Sequence, residues 1–396
     1  MTRPFRRLVL YVPGFDPMPP RRYRELYRRE SRKQAAICGY DLAMERHGGA
    51  AGFGWATRAC FPEAEAQSQV EVLVWSDLVQ ASMRAGIGGT YGQMLRVAWV
   101  YIRSGALRRL MRLRRGPVLA ALYPLAMLLA QLLCALTVAG LAGWAVTALT
   151  GIFWLGLLTA AGLAWGVLAF ARSQDHRLFA YYLMHDYAFT ASMKGAYPAG
   201  LEERLKRFTD RLAQAVDDEL DEVLLVGHSS GAYLAVSMLA DLLRRGRRPN
   251  GPALSLMTLG HVVPMAAFLP RAQRLRADLA YLSQQTDIFW VDVTAPGDPC
   301  SFALCDPVAV TGVAGADQRW PLVLSAAFTH TLSPQQQRDM RWRWFRLHLQ
   351  YLCAFDRPGD YDYFAITAGP QTLADRFAGR KHSPGRIATP AGPGLP

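Results

Sequence analysis

Between Arg115 and Arg172 the sequence has no Asp, Glu, Lys, Arg or His. Helices that pack on the outside of a soluble protein show a polar stripe, and this block has none on any face. It is long enough for two bilayer crossings of ~20 residues each. Cysteine is also sparse. The six cysteines, Cys38, Cys60, Cys134, Cys300, Cys305 and Cys353, are scattered without a C-x-x-C pair. Cys300 and Cys305 lack the second pair that a zinc site needs, so free thiols in a reducing compartment are expected and no metal is. The first residues, MTRPFRRLVLYVPGF, have a basic start, but Pro13 and Gly14 break the apolar run before it reaches signal-peptide length. Acid is short relative to base: 44 Lys and Arg stand against 31 Asp and Glu, a net charge of +13. The basic residues are not interleaved with aromatics and form no recognition module, so nucleic acid is not the expected partner.

The placement of the charge favours a membrane instead. Arg103, Arg108, Arg109, Arg112, Arg114 and Arg115 crowd one end of the apolar block, and Arg172 and Arg177 follow the other. Flanks basic on both sides fit two crossings that return to the cytoplasmic side. Spans are expected near 118–141 and 149–171, joined by a turn carrying Gly143, Thr147, Thr150 and Gly151. Gln131 and scattered Thr are the only polar groups inside, too few for a transport pathway.

Outside the block the pattern is that of an α/β protein. Leu8–Val12 (LVLYV) and Val70–Trp75 (VEVLVW) read as strands, with a helix over Arg21–Ile37 and a glycine-rich loop over Gly48–Gly54. After the block, a helix is expected over Leu201–Leu220, a buried strand at Val223–Val226 and a helix over Ala232–Arg244. Leu254–Leu259, Ile288–Val293 and Leu322–Phe328 read as further strands, and Arg338–Cys353 as a helix. The expected division is 1–83 for the first part of the α/β domain, 84–172 for the basic flank and hairpin, and 173–378 for the second part. The Pro/Gly-rich stretch 379–396 is expected to be disordered.

The chemistry centres on Gly227-His228-Ser229-Ser230-Gly231. In G-x-S-x-G a serine sits on a turn from strand to helix so tight that small residues must flank it, and its hydroxyl projects clear of the backbone. Here VLLV precedes the motif and AYLAVSMLADLLRR follows it, the required context. Ser229 is the expected nucleophile. The Ser230 amide, at the helix N-terminus, is one expected oxyanion donor, and the Phe15 amide in LYVPGFDP is the other. In chain order an acid and then a histidine should follow. Asp298 lies just beyond the strand FWVDV in a Pro/Gly loop and is the expected acid, with Asp306 the alternative. Asp292 alternates within the strand, which suits a structural role. Two histidines remain open. His330 directly follows the strand PLVLSAAF, and His348 stands in FRLHLQYL with Tyr351 three residues on. His228 and His261 read as site-lining or structural.

GHSSGA with its flanks resembles the α/β-hydrolase superfamily. The segment HLQYLCAFDRPGDYDYFAITAGP (348–370) is similar to the closing segment of bacterial membrane-anchored relatives of that superfamily. The resemblance implies an α/β-hydrolase-type, mostly parallel sheet with helices on both faces, interrupted by a two-helix transmembrane hairpin. It also implies a triad carried to Ser229, Asp298 and His348, and it is the resemblance that favours His348. The expected protein is a multi-pass component of the bacterial inner membrane, its catalytic domain facing the cytoplasm. It would act on a small ester or acyl substrate, lipid-derived in one version, without a cofactor. The alternative is a membrane scaffold or binding protein that keeps the fold without the chemistry.

Overall fold

The computed structural model describes residues 3–45, 48–49, 52–216, 219–246 and 251–392. In chain order the main elements are β1 (Phe5–Val12), α1 (Arg21–Cys38), β2 (Asp41–Glu45), β3 (Gly52–Cys60) and β4 (Glu65–Val72). Helices α2 (Ile87–Arg103), α3 (Ala106–Leu113), α4 (Arg115–Thr150), α5 (Phe153–Ser173), α6 (Ala180–Ser192) and α7 (Ala199–Ala215) follow. The chain then continues through β5 (Glu222–His228), α8 (Ser230–Arg244), β6 (Ala253–Leu259), α9 (Gln273–Ser283), β7 (Phe289–Thr294), β8 (Leu322–Ser325) and α10 (Trp344–His348).

Eight strands form one sheet in the order β2-β3-β4-β1-β5-β6-β7-β8, and the two-residue strand Gly48–Gly49 pairs with β3. The pairs β2–β3 and β3–β4 are antiparallel, and every pairing from β4 onward is parallel. Strand β1 is central: Val9 faces Val70 of β4 on one side and Leu224 of β5 on the other. Alternate residues of the central strands feed two cores, as a period of two requires. Leu8, Leu10, Val223 and Leu225 pack under α7, α8 and α9. Val9, Tyr11, Leu224 and Val226 pack under α1 and the segment from Tyr351 to Phe377. The sheet is therefore covered on both faces, and β5 is buried along its whole length.

A buried ion pair ties the bottom of this sheet to the C-terminal segment. Arg7 Nε donates to Glu222 Oε2 at 2.6 Å with both side chains fully enclosed. Its remaining nitrogens donate to the carbonyls of Gly369 and Gln371. Glu222 Oε1 accepts from Ser255 Oγ at 2.6 Å and from the Leu373 amide at 2.7 Å, so both carboxylate oxygens are satisfied in the core.

Several elements differ from the sequence expectation for identifiable reasons. The Gly48–Gly54 stretch is not simply a loop: Gly48–Gly49 and Gly52 onward are strand, while 50 and 51 lie outside the described residues. The segment expected as one helix over Arg338–Cys353 is broken because Trp342 adopts a left-handed backbone at φ 70°. The last strand stops at Ser325 because Ala327, at φ 47°, turns the chain into a short helix. The stretch from 379 is not disordered through 392. The Ile387 amide donates to Leu304 O at 2.8 Å and Ala391 to Val310 O at 3.0 Å, and Arg386 pairs with Asp306 at 2.5 Å.

Helices α4 and α5, each with an 18-residue stretch of mean hydropathy 2.2 and 1.8 respectively, pack together as a hairpin, and both are long and apolar enough to cross a membrane. Helix α4 runs through Gly143 and Thr147 without a break, so the turn falls at Gly151, left-handed at φ 71°. At the crossing the backbones touch. A Cβ on Gly143 would meet Gly156 O at 2.7 Å, which is why small residues stand there. At 1.5 Å per residue α5 spans about 31 Å and α4 about 54 Å, so α4 has roughly two fifths of its length to spare. That surplus is its N-terminal part, which packs on the α/β body. Leu128 is fully buried and its carbonyl accepts from Tyr91 Oη at 2.9 Å, and Tyr123 Oη reaches Leu178 O at 2.7 Å.

Candidate active site

The C-terminal ends of β1, β5, β6 and β7 meet at one edge, and the candidate residues collect there. Ser229 joins β5 to α8 at φ 58° and ψ −120°, a backbone conformation that side chains rarely adopt. Its amide donates to Leu259 O at 2.9 Å, which pins the turn to the neighbouring strand. The glycines explain why the turn can close. A Cβ at Gly231 would lie 2.1 Å from Val12 O, and one at Gly227 would lie 2.5 Å from Gly231 O. Gly14, on the loop after β1, is the third close approach: a Cβ there would stand 3.0 Å from Ser229 Cβ. Ser229 itself is half-buried, so its hydroxyl is reachable.

Asp298 and His348 come together although 50 residues separate them. His348 Nδ1 donates to Asp298 Oδ2 at 2.7 Å, with His348 7% and Asp298 2% exposed. A carboxylate acceptor at Nδ1 leaves the lone pair on Nε2. That Nε2 is buried and has no hydrogen-bond partner, so it is available as a base. Asp298 is held in place by further groups. Its Oδ1 accepts from the Cys300 amide at 2.9 Å, its Oδ2 from Tyr351 Oη at 3.0 Å, and Tyr351 Oη in turn accepts from the Ala295 amide at 3.0 Å. Burial alone would raise the Asp298 carboxyl, but His348, the Cys300 amide and Ser301 hold it below its usual range.

His228 has a role that the sequence did not disclose. Its Nε2 donates to the backbone carbonyl of His348 at 2.9 Å, and the two rings lie 4.7 Å apart. Burial, reinforced by His348, lowers its pKa to about 3, so it stays neutral and acts as a fixed strut beneath the His348 imidazole. Tyr351 is a similar case: the H-x-x-Y spacing was visible, its bond to Asp298 was not.

The expected oxyanion donors are placed differently from one another. Ser230 is the first residue of α8, where a backbone N–H has no acceptor within the helix. The Phe15 amide donates to Ser230 Oγ at 2.8 Å, so in this form a hydroxyl takes the donor that an oxyanion would use. Tyr182 Oη, on α6, donates to the Phe15 carbonyl, and the Phe15 ring lies against Tyr182 and Phe189. The helix that leaves the apolar hairpin thus braces the loop beside Ser229. The same helix carries Asp186, whose carboxyl burial pushes up to about 7 against the opposing effect of His348.

The remaining candidates are occupied elsewhere. Asp306 caps the Pro307–Val310 helix through the Val308 and Ala309 amides and pairs with Arg386. His330 is exposed in the short Phe328–Thr331 helix. His261 donates from Nε2 to Cys305 O at 3.0 Å and accepts the Val263 amide at Nδ1. Asp292 accepts Thr258 Oγ1 at 2.6 Å. Asp298, Cys300 and His348 offer donor atoms within 4.8 Å of one another, a geometry a metal ion could use. Burial and the nearby Asp298 push the Cys300 thiol well up, which keeps it protonated and a poor ligand. Comparison with family models, with curated proteins and with solved structures gives no match to this chain.

Proposed function

We propose that this chain is a membrane-anchored serine hydrolase of α/β-hydrolase type, acting on ester-type bonds through Ser229, His348 and Asp298. The observation that carries the reading is the buried, unpartnered Nε2 of His348, oriented by Asp298 through Nδ1, at the same sheet edge as a serine held at positive φ. The buried His228 and His261 both spend Nε2 on a backbone carbonyl, whereas His348 keeps that nitrogen free.

In the reaction, Ser229 Oγ attacks the ester carbonyl while its proton passes to His348 Nε2, and Asp298 stabilises the imidazolium. The oxyanion takes the Ser230 amide and, as Ser230 Oγ turns away, the Phe15 amide. His348 then protonates the departing alkoxide, leaving an acyl-serine. Water, deprotonated by the same nitrogen, attacks this intermediate, the acid leaves and Ser229 regains its proton. None of these steps requires a cofactor. In the resting form no hydrogen bond joins His348 to Ser229, and such bonds commonly tighten only with substrate bound. The hairpin supports placement in the bacterial inner membrane, with the basic flanks and catalytic domain on the cytoplasmic side.

The test is labelling by a serine-reactive fluorophosphonate. The intact protein should be labelled and Ser229→Ala should not, with His348→Ala strongly slowed. Equal labelling of the intact protein and Ser229→Ala would remove Ser229 as nucleophile. Absence of labelling in the intact protein would favour the scaffold reading.

A further inference from the structure

A cavity lies where the α/β body meets the root of the hairpin, enclosing about 540 Å³ counted to its mouth. Its walls come from α2, α3, the first turns of α4, Met265 and Tyr187, and no polar side-chain surface lines it. A space with such a wall has no use for water.

The outer end of the cavity opens among exposed apolar groups. Ile102 and Leu122 line it and are also 63% and 40% exposed. On α2, Leu95, Trp99 and Ile102 are spaced by four and three residues, so they form one exposed stripe on a single helix face. Arg103 borders this stripe, lying over the Trp99 ring at 5.2 Å. An apolar stripe edged by arginine and tryptophan is the pattern of a helix lying in the membrane interface. Leu122 belongs to α4, which continues directly into the hairpin, so the mouth and the apolar hairpin are one continuous surface.

The inner wall belongs to a packed cluster that reaches the loop after Asp298. Tyr187 lines the cavity and packs, with Met265, against the cluster that contains Phe302 and Cys305. Cys300 lies with Asp298 and His348 in one cluster. Met265 follows β6, whose end pins Ser229, and its carbonyl is held by Tyr101 Oη at 2.9 Å. One apolar cluster joins these groups to Phe302 and Cys305 on the loop after Asp298.

We infer that this cavity receives the hydrocarbon chain of a bilayer-resident ester, drawn in laterally between α2 and α4 so that its carbonyl reaches Ser229. This rests on Ser229 being the nucleophile and narrows the substrate to long-chain lipidic esters. The apolar wall selects the chain by length.

The experiment uses the full chain in phosphatidylcholine vesicles and two fluorophosphonates, one ethyl and one hexadecyl. Each phosphonylates Ser229: the Oγ–P bond forms as P–F breaks, fluoride leaves and the hydroxyl proton passes to His348. The intact protein should react with the hexadecyl probe at least about tenfold faster, the equivalent of burying two methylenes. Ala121→Trp and, separately, Ala98→Trp fill the cavity. Each should bring the ratio of hexadecyl to ethyl rates down to the value set by probe partitioning alone. The ratio cancels any loss of folded protein, and partitioning is common to all variants. A ratio unchanged in both variants would show that the chain binds elsewhere and overturn the inference. Failure of both probes to label Ser229 would instead strike the catalytic reading beneath it.

Discussion

Gly14→Ala separates the geometry at Ser229 from the general stability of the fold. A methyl at Gly14 would stand 3.0 Å from Ser229 Cβ, 3.3 Å from His228 O and 3.5 Å from Ser229 Oγ. Carbon atoms pack best at about 3.5–4.0 Å, so the loop and the serine must part by roughly half an ångström. Overpacking of this kind costs ~1–3 kcal/mol of stability. Its effect on chemistry should be larger in proportion: a misplacement of about 1 Å can cost ~10²-fold in rate, so half of that predicts a loss of roughly tenfold. The assay is the rate of fluorophosphonate labelling, measured beside the melting temperature in the same detergent. Gly200→Ala is the control, because its methyl would meet only Leu78 Cδ2 at an ordinary 3.6 Å. Gly231→Ala marks the other extreme, since its methyl would stand 2.1 Å from Val12 O and 2.6 Å from Pro13 O. It should leave little folded protein. If Gly14→Ala were labelled at the rate of the intact protein, the loop after β1 would not be confronting the reactive serine, and the assignment of its amide as an oxyanion donor would fall with it.

Three other perturbations follow from charge. The His228 pKa is depressed to about 3 in the fold against about 6.5 unfolded, so its contribution is present above pH 6.5 and is lost as pH falls toward 3. His228→Gln, which keeps a donor for His348 O, should flatten the acid limb of the stability curve between those values by on the order of a few kcal/mol; denaturant titrations at stepped pH would read this. Asp186 is raised to about 7, so it favours folding below pH 4 and stops doing so as pH rises through 7. Asp186→Asn should therefore melt higher than the intact protein at pH 8 and equally at pH 4, by on the order of 1 kcal/mol since the side chain is partly open to solvent. Arg7→Met strands Glu222 in the core without its partner and should cost ~3–5 kcal/mol, seen as a lost or sharply lowered unfolding transition.

Much of the sheet is legible in the chain itself, because buried parallel strands announce themselves as short apolar runs, as LVLYV and VLLV do. The β2–β3 hairpin is not, since its residues alternate or are glycine and carry no such run. The serine turn is legible because its glycines are dictated by backbone contacts around one tight bend. The partnership of His348 with Asp298 is not, because two histidines satisfy the chain order and only tertiary packing chooses between them. His330 falls on an exposed turn and His348 on a buried one. His228 escapes for a related reason: its neighbour is a backbone carbonyl 120 residues away, which no local pattern encodes.

The central position of β1 sets an order of events during synthesis. Its two neighbours, β4 and β5, are made on opposite sides of the hairpin, so the ribosome finishes both apolar helices before β5 emerges. Until then β1 has one open edge and the loop that carries Phe15 has no Ser230 to rest on. The reactive turn can thus assemble only after α4 and α5 have been made.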